Sequence, residues 1–317
     1  MDLFAQQARN RRMTWLLMGG FGLLLLAVGY AIDPGMAMAY PIRIGSTAMP
    51  LPLAPLGAVG ASALMAVFTY YQGDRVILAS MRARALDESR LPERQFRNVC
   101  EEMAIAAGLP MPRLYVVPDE DLNAFATGRS PEHAAVAVTE GLLAALDREE
   151  LQAVVAHELG HVKNLDIRLM MIVSVMLGAI ALLGDMALRS GRSRRSSRDK
   201  GGANPLLLIV AIVAPLIARM LAMAVSRTRE FDADRSAAEF TRNPLALARA
   251  LAKLEAAQAP TRYATQGTAH LFVVDPRVSK LNDRQDWLGN LFATHPPIKQ
   301  RIARLEKMGY GGLEAAS

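Results

Sequence analysis

The chain has 317 residues, 52% of them hydrophobic, and 36 Lys and Arg against 30 Asp and Glu give a formal charge of +6, a composition that excludes a disordered polar chain. Its single cysteine, Cys100, excludes an intrachain disulfide and a thiolate cluster, so a bound metal has to be held by His, Asp or Glu. The excess charge is local: Arg189, Arg192, Arg194, Arg195, Arg198 and Lys200 against Asp199 put +5 between Arg189 and Asn204, which leaves no general basic face for nucleic acid.

From Met13 to Ile32 there is no charge, and a helix of that length, rising about 1.5 Å per residue, matches the roughly 30 Å core of a bilayer. Arg9, Arg11 and Arg12 before the run and Ala37-Met38-Ala39 after it also fit a secretory leader, but the run is longer than the apolar stretch of about 7 to 15 residues that leaders use. Ile44 to Gly73 is again uncharged, with Pro50, Pro52 and Pro55 breaking its start and Tyr70 and Tyr71 placed as interfacial anchors. Residues 1–73 therefore read as a membrane hairpin with helices at about 13–32 and 53–71. Two further runs, Leu169 to Gly184 and Pro205 to Ala218, are shorter, and Pro215 interrupts the second. The positive-inside rule puts the Arg-rich N-terminus in the cytoplasm and returns the chain there near Asp74. Two full crossings by the later runs would place the +5 loop outside, against the same rule. Segment 166–225 thus reads as a second hairpin that either spans or stays partly inserted, with 189–204 as a solvated linker.

Between the hairpins, Leu114 to Val117 and Ala134 to Val138 are the best strand candidates. Asp147 with Glu150 three residues on is a capped helix start, and that helix carries His157-Glu158-Leu159-Gly160-His161. A spacing of four sets both imidazoles on one face, able to converge on one cation, with Glu158 beside a water bound to it. Zinc lowers the pKa of such a water towards about 7, and a neighbouring carboxylate can take its proton as it attacks a carbonyl. A catalytic zinc takes a third protein ligand. After the fourth run, Glu230 and Asp234 share a helix face in Ser226 to Asp234, suiting one ligand and one acid that holds a ligand histidine, or else a plain solvated surface. Asp166 either orients a ligand or ends its helix. Cys100 is a packing residue, and His133 and His270 read as surface or core histidines rather than ligands.

His157-Glu158-Leu159-Gly160-His161, Ser226 to Asp234, and Thr294-His295-Pro296-Pro297 with Arg301-Ile302 resemble the HtpX-type membrane zinc metalloproteases, relatives of the CAAX prenyl proteases. The order of two apolar runs, zinc helix, two more runs and Arg-Glu-Phe-x-Ala-Asp helix matches as well, so the likeness covers nearly the whole chain. The resemblance implies an α+β, mainly helical zincin-type domain with a small sheet and up to four transmembrane helices. Its catalytic parts would be 74–165 and 226–317. It implies one zinc ion per chain on His157, His161 and Glu230, with Glu158 as general base and Asp234 bracing a ligand. Asn123-Ala124-Phe125-Ala126 also matches; as an edge strand it could pair with an extended peptide and hold the scissile carbonyl over the metal, or simply lead into a loop. His295 and Arg301 are candidates for the oxyanion, or for bracing the last helix. The implied activity is endopeptidase cleavage in a bacterial inner membrane with the site facing the cytoplasm. Misfolded membrane proteins are the implied substrates, in quality control and stress response, with the lipid bilayer as the other partner. A prenyl-protein protease would carry more spanning helices than four. A noncatalytic metal-stabilised scaffold would need no Glu158.

Overall fold

The computed structural model describes residues 3–37, 41–44, 47–50, 53–179, 227–257, 271–273 and 296–314. The fourth apolar run, the loop 189–204, Ser226, His270 and His295 lie outside the described residues.

Helices α1 (Leu3–Ala37) and α2 (Leu53–Ser80) pack side by side. They are joined through an antiparallel hairpin of β1 (Pro41–Ile44) and β2 (Thr47–Pro50), a pairing that the short connection had not suggested. Both helices overrun the uncharged runs. Arg9, Arg11 and Arg12 sit inside α1, and α2 continues through Asp74 and Arg75, because a charge does not break a helix as a backbone turn does. The turn comes at Arg82, which takes a left-handed φ of 52°. Among the described residues, no helix is long and apolar enough to cross a membrane.

The remainder is mainly helical around a small mixed sheet. Strands β3 (Arg84–Ala85), β4 (Arg113–Val117), β5 (Ala124–Thr127) and β6 (Ala135–Thr139) lie in the order β3-β4-β6-β5. The β4–β6 pair is parallel and the β5–β6 pair antiparallel, with Ala124 opposite Val138 and Ala126 opposite Val136. The two expected strands agree to within a residue. All of β5 and β6 is buried, because both faces of the sheet are covered. Alternation sorts the side chains: Ala124, Ala126, Val136 and Val138 face a cluster with Phe96, Val154 and Leu251, while Phe125, Ala135 and Ala137 face Ile77, Met171 and Phe272.

The first cluster is closed by α3 (Leu91–Ala107), α4 (Glu140–Ala145), α5 (Arg148–Lys163), α7 (Arg227–Thr241), α8 (Pro244–Ala256) and α9 (Ile298–Glu314). Helix α6, residues 166–179, follows α5 and covers the opposite face of the sheet. The start of α5 is the expected capping box: Asp147 Oδ1 accepts from Glu150 N at 2.9 Å, and Glu150 Oε2 accepts from Asp147 N at 2.9 Å. With its first turn fixed and its flanks packed between the sheet and α7, α5 is a rigid carrier for what it holds.

Candidate metal centre

Three side chains converge where α5 crosses α7. The crossing is close because Gly160 has no side chain: a Cβ there would meet Ser236 Cβ at 3.1 Å and Ala233 Cα at 3.3 Å. Glu230, on the first turn of α7, is thereby brought over the two α5 histidines. Its Oε2 lies 3.7 Å from His157 Nε2 and its Oε1 3.7 Å from His161 Nε2. One ligand atom from each of the three residues fits within 4.8 Å of the others, all three residues are buried, and the group could hold a metal ion.

Zinc bonds of about 2.0–2.2 Å at tetrahedral angles would set ligand atoms about 3.4 Å apart, close to the two 3.7 Å distances from the Glu230 oxygens to the imidazoles. The outer nitrogens support the same reading. His157 Nδ1 is 3.1 Å from Asp234 Oδ1, and His161 Nδ1 is 3.1 Å from Asp166 Oδ2. A carboxylate behind each ring holds the proton on Nδ1 and leaves Nε2 as an acceptor facing the common point.

The local charge is arranged for a cation. Burial and Arg301 push the His157 imidazolium down, but Asp234 and Glu230 outweigh them and hold its pKa at about 9. Burial likewise lowers His161, and Asp166 and Glu230 reverse the sign, leaving it raised. Burial raises the Asp234 carboxyl, yet Arg301 and the His157 hydrogen bond carry it below the usual range. The carboxylates thus favour positive charge on the two rings, the same preference that a divalent ion would meet.

Arg301, on α9, is fully buried and braces this group. It donates from Nε to Asp234 Oδ2 at 2.9 Å and from Nη2 to Asp234 Oδ1 at 2.6 Å, a two-point fit. Its Nη1 is 3.2 Å from Glu230 Oε2 and donates to Val273 O at 3.1 Å. Its Nη2 also lies 3.3 Å from His157 Nε2, so the guanidinium is engaged by the carboxylates, the His157 ring and segment 271–273.

Glu158 points into a cavity between β5, α5, α7 and Leu271–Val273, lined also by Ala126, Ile167 and Met170. Burial raises its carboxyl, while His157, His161 and a hydrogen bond from the Ala126 N–H act the other way. β5 is an edge strand of this sheet, the first of the two readings its sequence left open. Ala124 O on this edge accepts from Val273 N at 3.3 Å, so the chain itself already meets part of it.

The profile of peptidase family M48 matches residues 90–309. The chain belongs to this family. Curated relatives named Protease HtpX homolog align over nearly its whole length. That of Thermoanaerobacter pseudethanolicus is 40% identical over 96% of this chain and 98% of its own. That of Syntrophobacter fumaroxidans is 44% identical over 94% and 99%, and that of Streptococcus uberis 37% over 96% and 100%. Among solved structures, the crystal structure of S. mikatae Ste24p is 18% identical with a TM-score of 0.47, over 78% of this chain and 57% of that one. As an M48 peptidase, the chain is a metalloendopeptidase.

In this M48 chain His157, Glu158, His161, Glu230, Asp234, Arg301 and Ala126 come together, although they come from four elements. Asn123 and Phe125 do not join them: the Asn123 amide lies against Asp121 and its own strand, and the Phe125 ring meets Phe272 edge-on at 5.4 Å in the opposite cluster. Period-two alternation could have separated Phe125 from Ala124 and Ala126. Gly160 was readable only as part of the motif, and segment 271–273 carried no signal at all. Gly160→Val tests the close crossing. The added methyls would force α5 from α7, at a cost of about 1–3 kcal/mol. A lower thermal midpoint together with reduced zinc content is expected, because Glu230 would move off the histidines.

Proposed function

We propose that the chain is a membrane-embedded, zinc-dependent endopeptidase that cleaves misfolded membrane proteins at the cytoplasmic face of a bacterial inner membrane. The observation that carries this reading is the meeting of His157, His161 and Glu230, each imidazole backed by a carboxylate, with Glu158 beside them and outside the ligand set. When bound, zinc polarises the scissile carbonyl and acidifies a water. Glu158 takes a proton from the attacking water and passes it to the leaving amine nitrogen. Its burial raises its proton affinity, the direction that suits a group that takes up and passes on a proton. The Ala126 N–H orients the carboxylate. Asp234 and Asp166 fix the two imidazoles, and Arg301 fixes Asp234 and Glu230. An extended substrate is held beside Ala126 on the part of the β5 edge that Val273 does not occupy.

The membrane reading is supported by α1 and α2, which leave Trp15, Leu16, Leu23, Leu56, Val59, Leu64, Val67, Phe68 and Tyr71 exposed. So many large apolar side chains on two paired helices are a patch that water disfavours and lipid accepts. A site tethered to the bilayer would meet membrane-protein substrates at raised local concentration.

Zinc content and casein cleavage of detergent-purified protein test the reading together. One zinc per chain is expected, with cleavage lost on chelation and restored by zinc. Cleavage that persists after the metal has been stripped would refute it.

A further inference from the structure

Helix α5 ends at Lys163 and the chain reverses within two residues, with Leu165 at φ 60°, before α6 starts at residue 166. The last carbonyls of a helix have no partner within it. Here α1 supplies two: Gln7 Nε2 donates to Lys163 O at 2.8 Å, and Asn10 Nδ2 donates to Asn164 O at 3.0 Å. The same Asn10 amide also donates to Asp166 Oδ1 at 2.6 Å. On its other oxygen, Asp166 Oδ2 lies 3.1 Å from His161 Nδ1.

Asn10 is 1% exposed and Asp166 0%, so bulk water has no route to replace either bond. Both neighbours of the Asn10 nitrogen are oxygen acceptors, which only the NH2 end of the amide satisfies. A carboxylate held by a donor on one oxygen keeps its other oxygen at a fixed angle to the imidazole. That angle decides where His161 Nε2 points. Arg229 Nε, 3.6 Å from the same Asp166 Oδ1, adds charge there at longer range.

We propose that Asn10, on the N-terminal helix, is a positioning residue of the metal centre: it orients Asp166, and through Asp166 it aims His161 Nε2 at the ion. The proposal rests on the reading of His157, His161 and Glu230 as zinc ligands. It makes α1 part of the site's supporting structure as well as an anchor, so a shift of that helix is transmitted to a metal ligand through two hydrogen bonds.

The test uses the full-length protein in detergent, with zinc affinity measured by competition against a chromophoric chelator and the thermal midpoint of each zinc-free protein measured alongside. Asn10→Leu keeps the branched shape and heavy-atom count and removes both donors, and a fall in zinc affinity of about 10-fold or more is expected, in the range seen for outer partners of metal ligands. Asn10→Asp, which sets a second carboxylate against Asp166, should weaken binding further. Gln7→Ala removes the neighbouring cap without touching Asp166, and wild-type zinc affinity is expected there even if the midpoint drops. Wild-type affinity in Asn10→Leu or Asn10→Asp overturns the proposal, and so does an equal loss in Gln7→Ala, which would mean that docking of α1 alone matters. His161→Ala separates the two layers: if it binds zinc as tightly as wild type, the ligand set itself is wrong and the role of Asn10 falls with it.

Discussion

Glu158→Gln is expected to lower kcat for casein cleavage by about 10²–10⁴-fold while the protein keeps its zinc. The split follows from where the side chain stands. Glu158 lines the cavity but is not among the three residues whose ligand atoms converge, so its charge is not needed to hold the ion. Gln keeps the size and can still accept from the Ala126 N–H, so packing at this buried position is preserved. What it lacks is the basic oxygen that takes a proton from water. Zinc per chain, thermal midpoint and initial rates, measured on one preparation, separate these contributions. Equal rates in the variant would remove Glu158 from the chemistry and return the scaffold reading to consideration, since a purely structural metal needs no base beside it.

Local patterns were legible where the physics is local. The spacing of His157 and His161 and the Asp147–Glu150 box each depend on a few neighbouring residues, and both appear as read. Strands β4 and β6 were readable from β-rich runs, and burial on both faces explains why β6 is nearly all apolar. The pairing of Glu230 with Asp234 was visible as a shared face, but its assignment needed the resemblance, because nothing within α7 says which helix it will cross. The crossing is decided by Gly160, a residue whose contribution is the absence of a side chain and which therefore leaves no chemical mark. Asp166 was left between two roles for a similar reason. Its partner Asn10 lies on another helix far away in the chain, and a single buried hydrogen bond has no periodicity to find. Arg301 was left between an oxyanion partner and a brace for the last helix; its donors are directed at Asp234, Glu230, Val273 and the His157 ring. Sequence shows that a charge exists; only the fold shows which groups neutralise it.

Glu230→Ala is expected to cost more zinc affinity than any substitution behind the ligands, exceeding the roughly 10- to 100-fold typical of such outer partners. Two consequences follow from one deletion. The remaining pair of imidazoles offers only two donors, one fewer than a catalytic zinc normally takes from protein. The buried Arg301 also loses the carboxylate 3.2 Å from its Nη1, leaving Asp234 to balance it. A charge stripped of part of its compensation in a buried site destabilises the fold, so the zinc-free midpoint should fall as well as the affinity. Glu230→Gln distinguishes the two effects: it keeps an oxygen near Arg301 but replaces the anionic ligand with a neutral one. Weak zinc binding with a midpoint closer to wild type is expected for Gln, and weak binding with a lower midpoint for Ala. Full zinc occupancy in Glu230→Ala would shift the third ligand to Asp232, Asp234 or His295. Of these Asp234 is committed to Arg301 and the Nδ1 side of His157, so its recruitment would require α7 to rotate over α5.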